Sequence, residues 1–419
     1  MNISEQYKFD EKTIAFVEES ERSLQQRFAE LDDIAFYNQL KVLAAFKEHR
    51  LAERHFVQTT GYGYNDEGRE VTDKIYATIF GAEAALVRSQ FFSGTHAIVT
   101  ALFGVLRPGD EMLSITNAPY ATVKSAVDSP KASGTLKDFG ISYRQINLLP
   151  GGIIDTPRVL SAIAPNTKMV YLQRSTGYDD RKAIGVKEIA DIARKVHQIN
   201  PDIVIFIDNC YGEFLEKEEP TQVGADLMAG SLIKNIGGGL AKTGGYIVGR
   251  KDLVEQCSQR LNTPVIGRET GSNYNYLRDI LQGLFIAPKI TNQALKNAVL
   301  VGRCFERLGY KVYPSAVDAR SDIIQAVCLN SKEQVEAFCR AVQEISPVDS
   351  YVTPYAWDMP GYDSQVIMAA GCFVQGSSIE MSADSPMTEP YTVYFQGGLT
   401  YEHGKCAAMN ILSHLKLVQ

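Results

Sequence analysis

The sequence predicts an α/β protein, with a mostly parallel central sheet in a large domain and a smaller C-terminal α/β domain. Two observations carry this expectation. Short apolar runs of strand length recur as far as Gly249 and alternate with helical patterns, and such alternation implies parallel strands covered on both faces. The chain also has 419 residues, 45% of them hydrophobic, which suits a large core divided between two domains. The expected parts are a helical arm at 1–60, a large domain at 61–290 and a small domain at 291–419.

Taken in order, the arm is helix-rich and charged. Phe36, Leu40, Leu43 and Phe46 follow one another by four and three, which puts them on one helix face of the kind that packs on a partner. Ala85–Phe91 reads as a strand, Phe92-Ser93-Gly94-Thr95-His96 as a turn, and the following residues as a helix that starts at Gly94 or Thr95. Arg107-Pro108-Gly109-Asp110 breaks that helix after Leu106. Strands are expected at Glu111–Ile115, Lys168–Leu172, Ile203–Ile207, Asp226–Ile233 and Gly245–Gly249. The unbroken Ile203-Val204-Ile205-Phe206-Ile207 is the pattern of a strand buried on both faces. In the small domain Thr291–Leu308 reads as a long connecting helix ended by Gly309. Ile323–Leu329 and Tyr391–Phe395 read as strands, and Tyr401–Leu417 as the closing helix.

A net charge of −7 and a pI near 5.5 argue against nucleic acid or an anionic membrane as a partner. Met1-Asn2-Ile3-Ser4-Glu5-Gln6 opens polar and acidic, unlike a secretory signal, and no apolar run is long enough to span a bilayer. The seven cysteines are scattered without a Cys-x-x-Cys pair, as expected of reduced cytoplasmic thiols rather than a disulfide framework or a zinc site. Cys210 stands two residues past Asp208 and reads as a small packing residue.

The chemistry gathers at the carboxyl ends of strands, where open α/β sheets bind ligands. The run ending at Ile207 delivers Asp208-Asn209, and the run from Asp226 delivers Ser231 and then Lys234. A carboxylate beyond one strand and an amine beyond the next suit the two working ends of pyridoxal 5'-phosphate (PLP): the acid keeps the ring nitrogen protonated and the lysine condenses with the aldehyde. Singly, the Asp reads as a turn or cap residue and the Lys as a surface charge. The Asn235-Ile236-Gly237-Gly238-Gly239 run after the lysine would let backbone approach a ligand, and this favours Lys234 over the rival Lys242. The turn at Ser93-Gly94-Thr95 would aim helix amides at a phosphate, the alternative being that Ser93 only caps the helix. His96 falls inside that helix and reads as packed. Tyr120, in Asn117-Ala118-Pro119-Tyr120, is placed to stack on a pyridine ring.

In this order Ser93-Gly94-Thr95, Gly109-Asp110, Tyr120, Asp208-Asn209, Ser231 and Lys234 resemble the fold type I PLP enzymes of the cystathionine and methionine lyase branch. Gly61-Tyr62-Gly63-Tyr64-Asn65-Asp66, Gln173-Arg174-Ser175-Thr176-Gly177-Tyr178 and Gly283-Leu284-Phe285-Ile286-Ala287-Pro288 resemble the methionine gamma-lyase-like group also called aluminium resistance proteins. The resemblance implies that Lys234 carries PLP and shuttles the substrate's alpha proton, and that Asp208 pairs with the ring nitrogen. It gives Ser93, Ser231, Gly94 and Thr95 to the phosphate, and to Tyr120 ring stacking and help to the leaving group. It also implies that Tyr62 or Tyr64, with Arg69, reaches the phosphate of a neighbouring subunit in a homodimer or homotetramer.

The chain departs from the lyases at two places. Ile233 stands before the lysine where they often have a hydroxyl, and Tyr391–Gly398 lacks the arginine that binds the substrate carboxylate. Arg174 is the substitute considered, the alternative being an ordinary structural ion pair. The expected function is a PLP-dependent carbon-sulfur lyase acting on methionine, cystathionine or a related amino acid. The alternatives are another fold type I enzyme, such as an aminotransferase or aldolase, and a non-catalytic PLP-binding stress protein. No metal-ligand cluster is expected.

Overall fold

A computed structural model describes residues 7, 9–179, 181–359 and 364–418. The chain forms two compact units. One comprises the chain up to Phe36, Tyr178–Lys182 and the chain from Pro288 on; the other comprises Tyr37–Gly177 and Ala183–Ala287.

The larger unit is built on seven strands: β1 Ala84–Arg88, β2 Glu111–Ser114, β3 Ser142–Gln145, β4 Thr167–Gln173, β5 Val204–Asp208, β6 Leu227–Ser231 and β7 Gly245–Gly249. Their order is β1-β7-β6-β5-β4-β2-β3, parallel from β6 to β3, with β7 antiparallel to both of its neighbours. β5 and β6 are buried at every position, for β5 as its unbroken apolar run predicts. Side chains on one face of the sheet, including Val170, Ile205 and Met228, pack with Val42, Ile75 and Leu284. Those on the other, including Met169, Phe206 and Ala229, pack with Ala97, Ala101 and Val254. The helix Gly94–Val105 lies on this second face, capped by Ser93, whose hydroxyl accepts from the His96 amide at 3.2 Å. Chain direction and register bring the ends of β2, β4, β5 and β6 to one edge, with Gln173 opposite Asp208 and Asp208 opposite Ala229.

The smaller unit carries five antiparallel strands in the order β10-β11-β12-β9-β8: β8 Lys311–Tyr313, β9 Ile324–Cys328, β10 Val366–Ala369, β11 Ser382–Pro386 and β12 Thr392–Gln396. Helices Lys332–Glu344 and Tyr401–His414 accompany this sheet.

Two expectations change. The helical arm is not a part of its own. Glu11–Arg22 buries Thr13, Val17 and Ser20, and Arg307 and Lys405 bind its Ser20 and Glu21 at 2.8 Å. Past Phe36, Asn38 donates instead to the Glu216 carbonyl at 3.0 Å, and Val42 and Ala45 join the larger unit's core. The long helix also starts earlier than Thr291, running Leu277–Arg307 through Pro288. Buried Ile280, Leu281 and Leu284 supply enough apolar contact to outweigh the interruption at a single proline. Of the expected stripe, Phe36, Leu40 and Leu43 are about half exposed or more, whereas Phe46 packs against the larger unit's core. Among the described residues no helix is long and apolar enough to cross a membrane.

Candidate active site

The site is assembled from strand ends in the larger unit. Asp208, the last residue of β5, is buried, and its two oxygens accept from the Cys210 amide at 3.1 Å and the Tyr171 hydroxyl at 3.2 Å. Both donors are neutral. Burial therefore raises the carboxyl above its ordinary range, with Cys210, Tyr171 and the charge of Lys234 acting in the opposite direction. A cation arriving at this carboxylate would offset its desolvation.

β6 ends at Ser231, buried beside the start of helix Gly94–Val105. A Cβ on Gly94 would sit 2.9 Å from the Ser231 Cβ and 3.0 Å from the Cys210 sulfur, so glycine is required for this approach. The first bond of the turn joins the Ala97 amide to the Ser93 carbonyl, and the Gly94 and Thr95 amides precede it as unpaired helix donors do. The Thr95 hydroxyl meets that of Thr122 at 2.8 Å, which ties this turn to the one carrying Tyr120. The Tyr120 amide in turn donates to Gln173 at 2.6 Å, at the end of β4. Asp208, Ser231, Gly94, Thr95 and Tyr120 thus share one edge of the sheet.

Lys234 follows three residues after Ser231, and its Nζ donates to the Tyr211 hydroxyl at 2.8 Å. Burial acts to lower the pKa of its ammonium, but Tyr211, Cys210 and Glu213 outweigh that and raise it. The rival Lys242 is a surface residue, its side chain 66% exposed and paired with Asp279 at 2.9 Å. Cys210 is a packed thiol that burial pushes well up, so it is a poor nucleophile at neutral pH. His96 stacks on Phe92 and accepts from the Phe92 amide, as expected of a packed residue.

Three expected roles meet a different geometry. Gly237 and Gly238 are closely packed by the protein itself: a Cβ on Gly238 would sit 2.5 Å from the Gly283 carbonyl, and one on Gly237 would overlap the Leu232 carbonyl. Arg174 is 0% exposed. It donates to Asn209, the Gly212 and Ile184 carbonyls and Glu216, so its guanidinium is consumed by the fold rather than turned to a substrate carboxylate. Arg69 is likewise buried, holding the Gly63, Gly271 and Glu269 carbonyls of its own chain. Beside it Tyr62 and Tyr64 are 76% and 57% exposed, their rings 5.9 Å apart, and Tyr62 lines an open cleft of about 420 Å³ together with Phe92 and Tyr274. The side chains that residue reasoning passed over are Tyr171, Gln173 and Tyr211. The turn-forming Asn209-Cys210-Tyr211-Gly212 directly after Asp208 was the available signal for the last of them.

This sheet, with an acid at one strand end and a lysine past the next, has the fold of the type I PLP-dependent enzymes. The same fold is seen in the PLP-dependent protein YhfS of Escherichia coli, at 14% identity and a TM-score of 0.61 over 91% of this chain and 96% of that one. More narrowly, residues 13–416 match the methionine gamma-lyase family, and the chain belongs to it. The family's cofactor is pyridoxal 5'-phosphate. The chain is 49% identical to the uncharacterized protein YnbB of Bacillus subtilis (strain 168), over 93% of this chain and 94% of that protein. It is 46% identical to the solved structure of a carbon-sulfur lyase involved in aluminium resistance from Clostridium novyi NT, with a TM-score of 0.95 over 98% of both chains.

Proposed function

We infer that this protein is a PLP-dependent carbon-sulfur lyase that eliminates the sulfur group from methionine, cystathionine or a related amino acid. The carrying observation is the grouping of buried Asp208, buried Ser231 and Lys234 around a helix start where Gly94 admits no side chain. These residues fit the cofactor chemically. Asp208 is buried with neutral donors on both oxygens, so a cationic ring nitrogen beside it would offset its desolvation. The Gly94 and Thr95 amides and the Ser231 hydroxyl would bind the phosphate, and Lys234 the aldehyde. Ser93 contributes through its cap, which fixes the helix start, and Tyr120 through its place on the same edge.

When bound, PLP supplies an electron sink for the bond electrons of the substrate's alpha carbon. The protein's own work is then positional and acid-base. Asp208 keeps the ring nitrogen protonated by holding a negative charge where burial makes that charge strong. Lys234 takes the alpha proton and returns it, and Tyr120 delivers a proton to the departing sulfur. With Arg174 occupied inside the fold, carboxylate recognition falls to other groups, and activity on methionine is expected to be weak or narrow.

The chain works as a homodimer or homotetramer, in the reducing cytoplasm. Exposed Phe36, Leu40 and Leu43, the Tyr62–Tyr64 pair and seven free cysteines support these two statements. The test is borohydride reduction with peptide mapping, together with a panel of sulfur amino acids assayed for ammonia and 2-oxo acid. Label on Lys234 and release from at least one substrate are expected. Label on Lys242, or no alpha-proton exchange from any sulfur amino acid, would overturn the reading.

A further inference from the structure

Tyr211 makes two contacts with the lysine at once. The Lys234 ammonium donates to its hydroxyl at 2.8 Å and lies 4.3 Å from its ring centroid. The surrounding backbone enforces this pairing. Tyr211 has a φ of +70°, in the left-handed region that bulky residues rarely adopt, and Phe214 in the same segment has a φ of +64°. Such conformations persist where neighbouring groups hold them, and they concentrate at functional sites.

The holding groups are specific. Asn235, fully buried beside the lysine, donates its Nδ2 to the Tyr211 carbonyl at 2.9 Å and to the Glu213 carbonyl at 3.2 Å. The Gly212 amide donates to the Asn209 carbonyl at 2.8 Å, and a Cβ on Gly212 would sit 2.7 Å from two atoms of the Arg174 side chain. The segment after Asp208 is therefore stitched to the segment after Ser231. The phenol is presented to the amine by that stitching, and Arg174, consumed within the fold, is part of its support.

We propose that Tyr211 is a catalytic proton partner of Lys234, holding the amine in place and exchanging with it the proton that the amine must gain and lose between its acid and base duties. The proposal rests on Lys234 being the working lysine. In the exchange the phenol O–H bond breaks as an N–H bond forms on neutral Nζ, giving an ammonium beside a phenolate. The reverse transfer restores both groups, and no electrons are gained or lost overall.

The other titratable groups whose charge Lys234 feels or imposes are Cys210, Glu213 and Asp208. Burial works against the ammonium, and Tyr211 is the leading group that outweighs it. Removing the phenol oxygen should therefore let burial prevail, so that Lys234 becomes neutral, and reactive, at lower pH.

The experiment uses the full chain freed of cofactor by dialysis against an amine scavenger. Lys234 is labelled with an amine-reactive reagent across a pH series and quantified by peptide mass mapping. In Tyr211→Phe, shown by circular dichroism to be folded, the labelling midpoint should fall by at least about one pH unit, a tenfold gain in label below the midpoint. Tyr120→Phe should leave it in place. A midpoint unmoved in Tyr211→Phe, or moved as far by Tyr120→Phe, would overturn the proposal.

Lys234→Ala gives a reading that does not depend on the folding of the Tyr211 variant. With the amine gone, a label on ring-tagged Tyr211 should report a changed environment for its ring carbons, because Lys234 Nζ lies 4.3 Å from the ring centroid, and an unchanged resonance counts against the contact. Borohydride mapping tests the lysine assignment separately, so the two readings can fail independently.

Discussion

Glu213 offers a quantitative test of the buried polar layer beneath the site. Its side chain is fully buried, Oε1 accepts from the Tyr246 hydroxyl at 2.6 Å, and Oε2 has no hydrogen-bond partner among the described residues. Burial pushes the carboxyl up to about 8 from an ordinary 4.5. The unfolded chain gives up this proton near 4.5 while the folded chain keeps it to about 8, so folding binds the proton throughout that window. Stability is thus fully present below the unfolded value and declines as pH rises towards the folded one. The interval corresponds to about 5 kcal/mol at most, lost at about 1.4 kcal/mol per pH unit.

Glu213→Gln keeps an acceptor for Tyr246 and cannot ionise. Relative to the unsubstituted protein, the variant should gain little near pH ~5 and progressively more towards pH ~8.5. Urea unfolding midpoints of both proteins, measured without cofactor at matched pH and converted with their own slopes, give this difference. A difference that stays constant across the range would refute a neutral Glu213. A variant that loses relative stability as pH rises would reverse the sign and refute the burial argument itself.

Other substitutions separate the parts of the site. Gly94→Ala should leave the fold intact but lower cofactor affinity at least about tenfold, because its methyl meets Ser231 and Cys210; titration of the cofactor's absorbance reads this. Arg174→Met should lower stability by about 3 kcal/mol or more, since it strands Glu216 and Asn209 without their cation, and denaturation should show that loss instead of an isolated rise in KM. Asp208→Asn should still bind the aldehyde but slow turnover by at least about a hundredfold, read as kcat in steady-state assays. Lys242→Ala should leave cofactor content and turnover unchanged, since that amine lies on the surface with Asp279.

The residues most legible from sequence were those that end strands. Strand β7 is legible to the residue, and β4, β5 and β6 within two residues at either end, because short runs rich in apolar and small residues between helical patterns have few alternatives to burial. Asp208, Ser231 and Lys234 followed from those ends. Arg174 was ambiguous because its role depends on Asn209, Gly212 and Glu216, which lie far along the chain and come together only in the fold. The extra turns of the helix before Thr291 were hidden by Pro288, a local stop signal that tertiary packing overrode. For Tyr211 the turn-forming residues around it signal a bend after Asp208, but its φ of +70° depends on a buried asparagine from another segment, so the direction of its side chain is not legible locally.

These differences share a physical cause that bears on how the site is held. Glycines that read as ligand-binding are needed for packing, Gly237 against the Leu232 carbonyl and Gly238 against the helix of Gly283, whereas Gly94, in an ordinary capped turn, is the one with no room beside the strand-end serine. The arginine that read as substrate-binding braces the segment that presents Tyr211. Close packing behind the lysine and the acid leaves their polar atoms little freedom to move. An electrostatic site of this kind depends on groups that are already oriented before substrate arrives, since reorientation during reaction would consume the stabilisation they supply. The buried layer of Arg174, Asn209, Tyr246, Glu213 and Asn235 is therefore expected to control the position of Asp208 and Lys234, even where its members never meet the substrate.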